Sequence, residues 1–206
     1  PRAFILTDVY HLFKGGSGYE GLKLLAPGVL PVMHMNDYPA QPPRAEITDV
    51  ANAVYEQADA VMLSGETTVG KYPVECVRVL DKVARRIELS GGAGFAKDAM
   101  LAEDREKTVH SAVILANSFP DAKIVIFTRR GTMAAFVAGQ RPHYAPILAF
   151  APSWELCRKL SLLRAVEPHH LTFDVNPERT IASAEKYLKD NGIVKSGDHL
   201  VIVSDI

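Results

Sequence analysis

Between Arg44 and Ile87 the hydrophobic period changes twice, and this constrains the fold more than any other feature of the chain. Ile47, Val50, Ala51 and Val54 recur at helical spacing, Ala60-Val61-Met62-Leu63 is a short unbroken apolar run, and Val74 to Ile87 returns to helical spacing. Helix, buried strand, helix is the repeating unit of parallel α/β sheets and barrels. Thr48 reads as the cap of the first helix, with Asp49 adding favourable negative charge at its start. The strand runs into Ser64-Gly65-Glu66-Thr67.

The flanking sequence continues the pattern. Upstream, Phe4-Ile5-Leu6-Thr7 leads into Asp8-Val9-Tyr10-His11. The glycine-rich Lys14-Gly15-Gly16-Ser17-Gly18, a helical segment near Leu22 and a second apolar run from Val29 to Met35 follow. Downstream, Ser90-Gly91-Gly92-Ala93-Gly94 breaks the periodicity as a linker does. Beyond it, helical stretches alternate with β-rich runs at Lys123 to Phe127, Pro146 to Phe150 and His199 to Val203. The expected architecture is therefore α/β throughout: a partial (β/α) barrel segment over 1–89, a linker over 90–103, and a C-terminal α/β domain over 104–206 with a largely parallel sheet.

Composition narrows the partners. Apolar residues make up 48% and charged residues 23% of 206 residues, as in a globular chain with a core. No apolar run approaches the roughly 20 residues that span a bilayer, so no membrane role is expected. A net charge of −1 gives no footprint for nucleic acid. A cytoplasmic location is expected. The two cysteines, Cys76 and Cys157, lack metal-ligand spacing and read as buried thiols.

The string Pro43-Arg44-Ala45-Glu46-Ile47-Thr48-Asp49, with Ala58-Asp59-Ala60-Val61-Met62-Leu63-Ser64-Gly65-Glu66-Thr67 and Tyr72-Pro73, resembles pyruvate kinase. So do Thr128-Arg129-Arg130-Gly131-Thr132, Arg141-Pro142 and Arg164-Ala165-Val166-Glu167-Pro168, in the order of that family's C-terminal domain. The resemblance spans 43–206. It implies that Ser64, Glu66 and Thr67 lie at the end of the eighth barrel strand, at the active-site mouth. It further implies phosphoryl transfer between phosphoenolpyruvate and ADP, with Mg and K as cofactors. The family's catalytic lysine, metal-binding carboxylates, phosphate-binding arginine and threonine all precede Pro43 in its order, and none maps onto this sequence. The expectation is a fragment that keeps the regulatory and assembly domain, lacks the catalytic core and itself binds neither metal.

Residues 1–43 resemble a different family, the sugar-phosphate isomerases and epimerases of the xylose-isomerase type, which suggests a chimera joined near Pro43. That resemblance makes Asp8 and His34 metal ligands and His11 a substrate contact, with two further glutamates needed to complete the site. A histidine and a carboxylate hydrogen-bonded at a strand end is the plainer reading of the same residues. Lys14 beside Gly15-Gly16 suggests a phosphate contact.

The Thr128–Thr132 loop has the most direct physical rationale. It follows a strand and opens a helix, so backbone N–H groups, two hydroxyls and the Arg129 and Arg130 guanidinium groups converge where a phosphate could sit. In the resembled family the corresponding loop grips an effector phosphate, which makes a sugar phosphate or another phosphorylated effector the expected ligand. The chain stops at Ser204-Asp205-Ile206 where that family continues through a further loop and strand, so an exposed sheet edge is expected. A homo-oligomer, or a purely non-catalytic oligomerisation module, is the remaining reading. His110, His143, His169, His170 and His199 are expected at the surface or in caps, and Trp154 as a packing anchor.

Overall fold

The computed structural model describes residues 7–8, 32–34, 44–98 and 100–204, with backbone alone for 7–8, 32–34, 44–46 and 97–98. The chain divides into two compact units, Pro1–Ala99 and Met100–Ile206. The division falls within the stretch expected to be a linker.

In the first unit three short strands, β1 (Thr7–Asp8), β2 (Val32–His34) and β3 (Ala60–Met62), pair in parallel in the order β1-β2-β3. Helix α1 (Arg44–Tyr55) precedes β3, and the single-turn α2 (Gly65–Thr68) and long α3 (Pro73–Glu88) follow it. The helix-strand-helix expectation holds, with two corrections. Helix α1 begins at Arg44, one turn before Thr48, so Thr48 and Asp49 lie within the helix rather than at its start. Strand β3 is half-buried, with Met62 36% exposed, where its apolar run reads as a buried strand.

Val50, Ala53 and Val54 form the buried stripe of α1. Helix α3 starts with Pro73 at its first turn, where the missing N–H costs nothing. It buries no residue fully, and Val74, Val77 and Val79 are exposed. The glycine-rich turn after α3 is tied back to α1: the Ala93 N–H donates to the Tyr55 carbonyl at 2.7 Å, and Gln57 Nε2 donates to the Gly91 carbonyl at 3.3 Å.

The second unit is a four-stranded parallel sheet in the order β6-β5-β4-β7: β4 (Lys123–Phe127), β5 (Ile147–Ala151), β6 (Val166–His170) and β7 (Leu200–Ser204). Alternation along β4 explains why it reads as continuously apolar. Ile124 and Ile126 join a cluster with Val109 and Val113 of α4 (Asp104–Asn117), Val137 of α5 (Thr132–Gly139) and Leu160 of α6 (Trp154–Leu160). Val125 and Phe127 join the opposite cluster with Leu148, Phe150 and Leu188 of α7 (Pro177–Asp190). A strand covered on both faces has no polar side to show. Burying side chains such as Phe127 and Phe150 contributes about 1.5–3 kcal/mol each.

Helix starts are capped by short-range chemistry. Glu106 Oε2 accepts the Glu103 N–H at 3.0 Å in a capping box, Ser153 Oγ accepts the Leu156 N–H at 3.2 Å, and Asn176 Oδ1 accepts the Glu178 N–H at 2.9 Å.

Strand β6 is the element that sequence periodicity misses. Glu167, Pro168 and two histidines lie outside the β-rich runs of the sequence, yet an edge strand tolerates proline because only one side of its ladder is paired. Two side-chain expectations change with it. His169 is buried at 7% exposure, and Trp154 is 65% exposed, its indole stacked on His170 at 4.8 Å rather than anchored in the core.

Candidate functional site: the loop after strand β4

In the sheet, β5 and β6 lie on one side of β4 and β7 on the other, so the chain reverses its winding direction at β4. In open parallel sheets the crevice at the carboxyl ends of the strands beside such a switch is where ligands bind. The loop Thr128-Arg129-Arg130-Gly131 occupies that end of β4 and leads into α5.

Its shape is fixed from within. Thr128 is buried at 2% exposure; its N–H donates to the Phe150 carbonyl at 3.0 Å, and its Oγ1 accepts the Gly131 N–H at 2.9 Å. Gly131 adopts φ +86, a left-handed conformation that a Cβ disfavours, and stands as the N-cap of α5 without any side-chain cap. The start of α5 is thus left to backbone N–H groups and the positive end of the helix dipole.

Arg129 and Arg130 are exposed, and the Arg129 guanidinium carbon lies 5.6 Å from the centroid of the Phe173 ring. Of the two hydroxyls expected to converge on a ligand, Thr128 is turned inward onto Gly131, while Thr132 is half-buried in the first turn of α5. Arg129, Arg130 and the helix start therefore share one end of the sheet, a combination suited to an anion.

The candidates in the first unit are arranged differently. Ser64 is the N-cap residue of α2 without a side-chain cap, and its carbonyl accepts the hydroxyls of Thr67 at 3.0 Å and Thr68 at 2.7 Å. Thr67 thus braces its own turn. Glu66 lines an apolar groove of about 180 Å³ formed by Ile47, Val50, Leu63, Cys76 and Val79, with Glu75. This groove and the Arg129–Phe173 contact escape sequence reading, because each depends on pairing across elements.

Backbone register sets Asp8 opposite His34, and His34 opposite Met62. The side chains of Asp8 and His34, together with His11 and the Lys14-Gly15-Gly16 segment, lie outside the described residues. Among the described residues no group of three or more His, Cys, Asp or Glu side chains is placed to hold a metal ion.

Cys157 is buried and Cys76 half-buried. Burial pushes the Cys157 thiol up, away from reactivity. His110 Nδ1 meets Gln140 at 2.8 Å, and His199 stacks on Phe119 and meets Asp121 at 3.1 Å; both are structural contacts.

Fold and loop together define a class: a doubly wound parallel α/β unit with a left-handed glycine turn feeding a helix N-terminus at the switch strand. Comparison with known proteins supplies the family. The chain matches the family models "Pyruvate kinase, alpha/beta domain" over residues 106–206 and "Pyruvate kinase, barrel domain" over residues 25–77. The chloroplastic pyruvate kinase isozyme G of Ricinus communis is 39% identical over 168 residues, covering 79% of this chain and 39% of the relative. Plastidial pyruvate kinase 3 of Arabidopsis thaliana is 36% identical over 165 residues, covering 79% of this chain and 28% of its own length. The crystal structure of Cryptosporidium parvum pyruvate kinase superposes with a TM-score of 0.70 at 29% identity, over 86% of this chain and 39% of that one.

The chain belongs to the pyruvate kinase family. The barrel match begins at residue 25, ahead of Pro43, and takes in β2 with His34, so the isomerase alternative is not favoured. The chain spans 39% or less of the lengths of the Ricinus and Arabidopsis relatives. No helix among the described residues is long and apolar enough to cross a membrane.

Proposed function

We propose that these 206 residues carry the phosphate-responsive, regulatory part of a pyruvate kinase, and that phosphoryl transfer between phosphoenolpyruvate and ADP depends on residues outside them. The observation that carries the reading is the Thr128–Thr132 loop: an uncapped helix start behind a left-handed Gly131, with two exposed arginines beside it. Phosphate presents several acceptor oxygens to such donors, and arginine recognises it through paired hydrogen bonds. The ligand class is a sugar phosphate or another phosphorylated effector. Magnesium and potassium belong to the whole enzyme's transfer step. Self-association is part of the reading, supported by the exposed Val74, Val77 and Val79 on α3 and Ile202 on β7. A cytoplasmic location remains part of the proposal, although the Ricinus and Arabidopsis relatives are named as plastid proteins.

The test is a thermal melt with a panel of sugar phosphates and bisphosphates. A ligand at 100 times its dissociation constant adds about 2.7 kcal/mol, a rise of several degrees at this size. A shift with wild type that is lost in Arg129→Ala/Arg130→Ala supports the effector reading, and an unshifted cooperative melt removes it. Size-exclusion chromatography at several concentrations tests assembly, and a monomer throughout counts against it.

A further inference from the structure

Among the described residues, one buried side-chain nitrogen is left without a hydrogen-bond partner, and it belongs to His169. That residue is 7% exposed, and the nitrogen is Nε2. Its position in the sheet gives this a consequence. His169 is in register with Phe150, and Phe150 with Phe127, so three rings stand in a row across β6, β5 and β4. Neighbouring centroids are 5.3 Å and 5.5 Å apart. Tyr187 of α7 meets both His169, at 5.4 Å, and Phe150, at 5.9 Å. At the far end Phe173 meets Phe127 edge-on at 6.0 Å, and Arg129 lies over Phe173. The row connects the buried histidine to the arginine loop through ring contacts alone.

We propose that His169 is a proton-operated switch: charging its ring breaks the aromatic row and loosens helix α7 and the Arg129–Phe173 edge of the Thr128–Thr132 loop together. Two ionisable groups among the described residues face it. Glu167, two residues back on the same face of β6, has Oε1 3.5 Å from Nε2, and Tyr187 faces it from α7; Phe150, from β5, carries no charge. His170, next in the chain, stacks on Trp154 instead. A charged Nε2–H has no acceptor within ordinary hydrogen-bond reach, because Glu167 Oε1 at 3.5 Å is too far, so the ring shifts toward Glu167 and off the row.

Burial pushes the histidine below its ordinary value of 6.5, and Glu167 opposes this only in part. The unfolded chain therefore takes up the proton first. Stability is full above about pH 6.5 and falls as the pH drops toward the folded value. The switch does not depend on the loop's ligand, so its test uses none, and it stands or falls separately from the effector reading.

The experiment is an NMR titration from pH 8 to pH 5, following the His169 ring and the backbone amides of Gly131, Phe173 and Tyr187, beside melts of wild type and His169→Phe. Phenylalanine continues the row without a titrating nitrogen. The expected result is a His169 midpoint below 6.5, with the three amides moving at that same midpoint. The wild-type melting temperature should fall on acidification by several degrees more than that of His169→Phe. A ring that titrates at 6.5 or above, or loop amides that stay still while it titrates, overturns the proposal. Equal acid sensitivity in a folded His169→Phe does the same. If that variant does not fold, the wild-type titration decides alone.

Discussion

The Gly131 amide donates to the Thr128 hydroxyl across 2.9 Å, closing the loop after β4 on itself. Because Thr128 is 2% exposed, water does not replace the bond. Thr128→Val keeps the shape and removes the acceptor, leaving the Gly131 N–H unpaired at a cost of about 1–3 kcal/mol. Thr128→Ser, which retains the hydroxyl, should cost less than Thr128→Val. Chemical denaturation measures the difference, and equal losses in the two variants would show that the hydrogen bond is not what holds the loop.

Gly131 has its own constraint. At φ +86 an L-residue is strained by about 1–2 kcal/mol, and an added Cβ would also approach Leu156 Cδ1 at 3.2 Å. Gly131→Ala should therefore destabilise the second unit by at least that strain and, on the proposed effector reading, weaken the binding of sulfate as a phosphate mimic. Sulfate keeps its charge through neutral pH, so isothermal titration reads loop geometry directly. A variant as stable as wild type would mean that the loop relaxes out of the left-handed region.

Much of the fold is legible in the sequence wherever one physical signal dominates. The double-sided burial of β4 and β5 leaves unbroken apolar runs, and the alternation of helix and strand from Ile47 to Ile87 survives in α1, β3 and α3. The Thr128–Thr132 loop is legible because strand, glycine and helix are consecutive. Reading fails where the decisive contact lies far along the chain. Pro168 and the adjacent histidines hide β6, whose partner is β5, and the burial of His169 depends on Phe150 and Tyr187, which its own neighbours do not announce. Trp154 has the size of a core residue, but the start of α6 leaves its ring against His170. Helix α1 starts before its best-looking cap because the residues from Arg44 already take helical geometry.

Asp198 makes a prediction about acid. Its Oδ2 accepts Lys123 Nζ at 2.7 Å and the Lys195 N–H at 3.0 Å, joining the start of β4 to the turn before β7. The Lys123 hydrogen bond, followed by the Lys195 amide, holds its carboxyl below the ordinary 3.8. The depressed group stabilises the fold fully above that value, and its contribution disappears as pH falls from 3.8 through the lower folded one. Asp198→Asn should be less stable near neutrality and should lose less on acidification below pH 4. Melts at pH 7 and pH 3 check this, and parallel acid limbs for the two proteins would remove Asp198 from the account.

In the first unit, Gln57 and Gly92 should prove energetically coupled. Gly92 sits at φ +73, and a Cβ on it would fall 2.6 Å from Gln57 Cγ. Gln57 is 8% exposed and held by its bond to the Gly91 carbonyl, so it yields little room. Gly92→Ala then suffers two penalties, backbone strain of about 1–2 kcal/mol and the clash with the glutamine stem. Gln57→Ala removes only the second, since Cγ, Cδ and Nε2 all disappear. Gly92→Ala should therefore cost less in the Gln57→Ala background than in wild type, by about 0.5–3 kcal/mol as a double-mutant cycle reads contacting pairs. The residual cost in that background is the price of the left-handed turn alone, and additive losses would mean that the turn moves away from α1 when Gly92 is replaced.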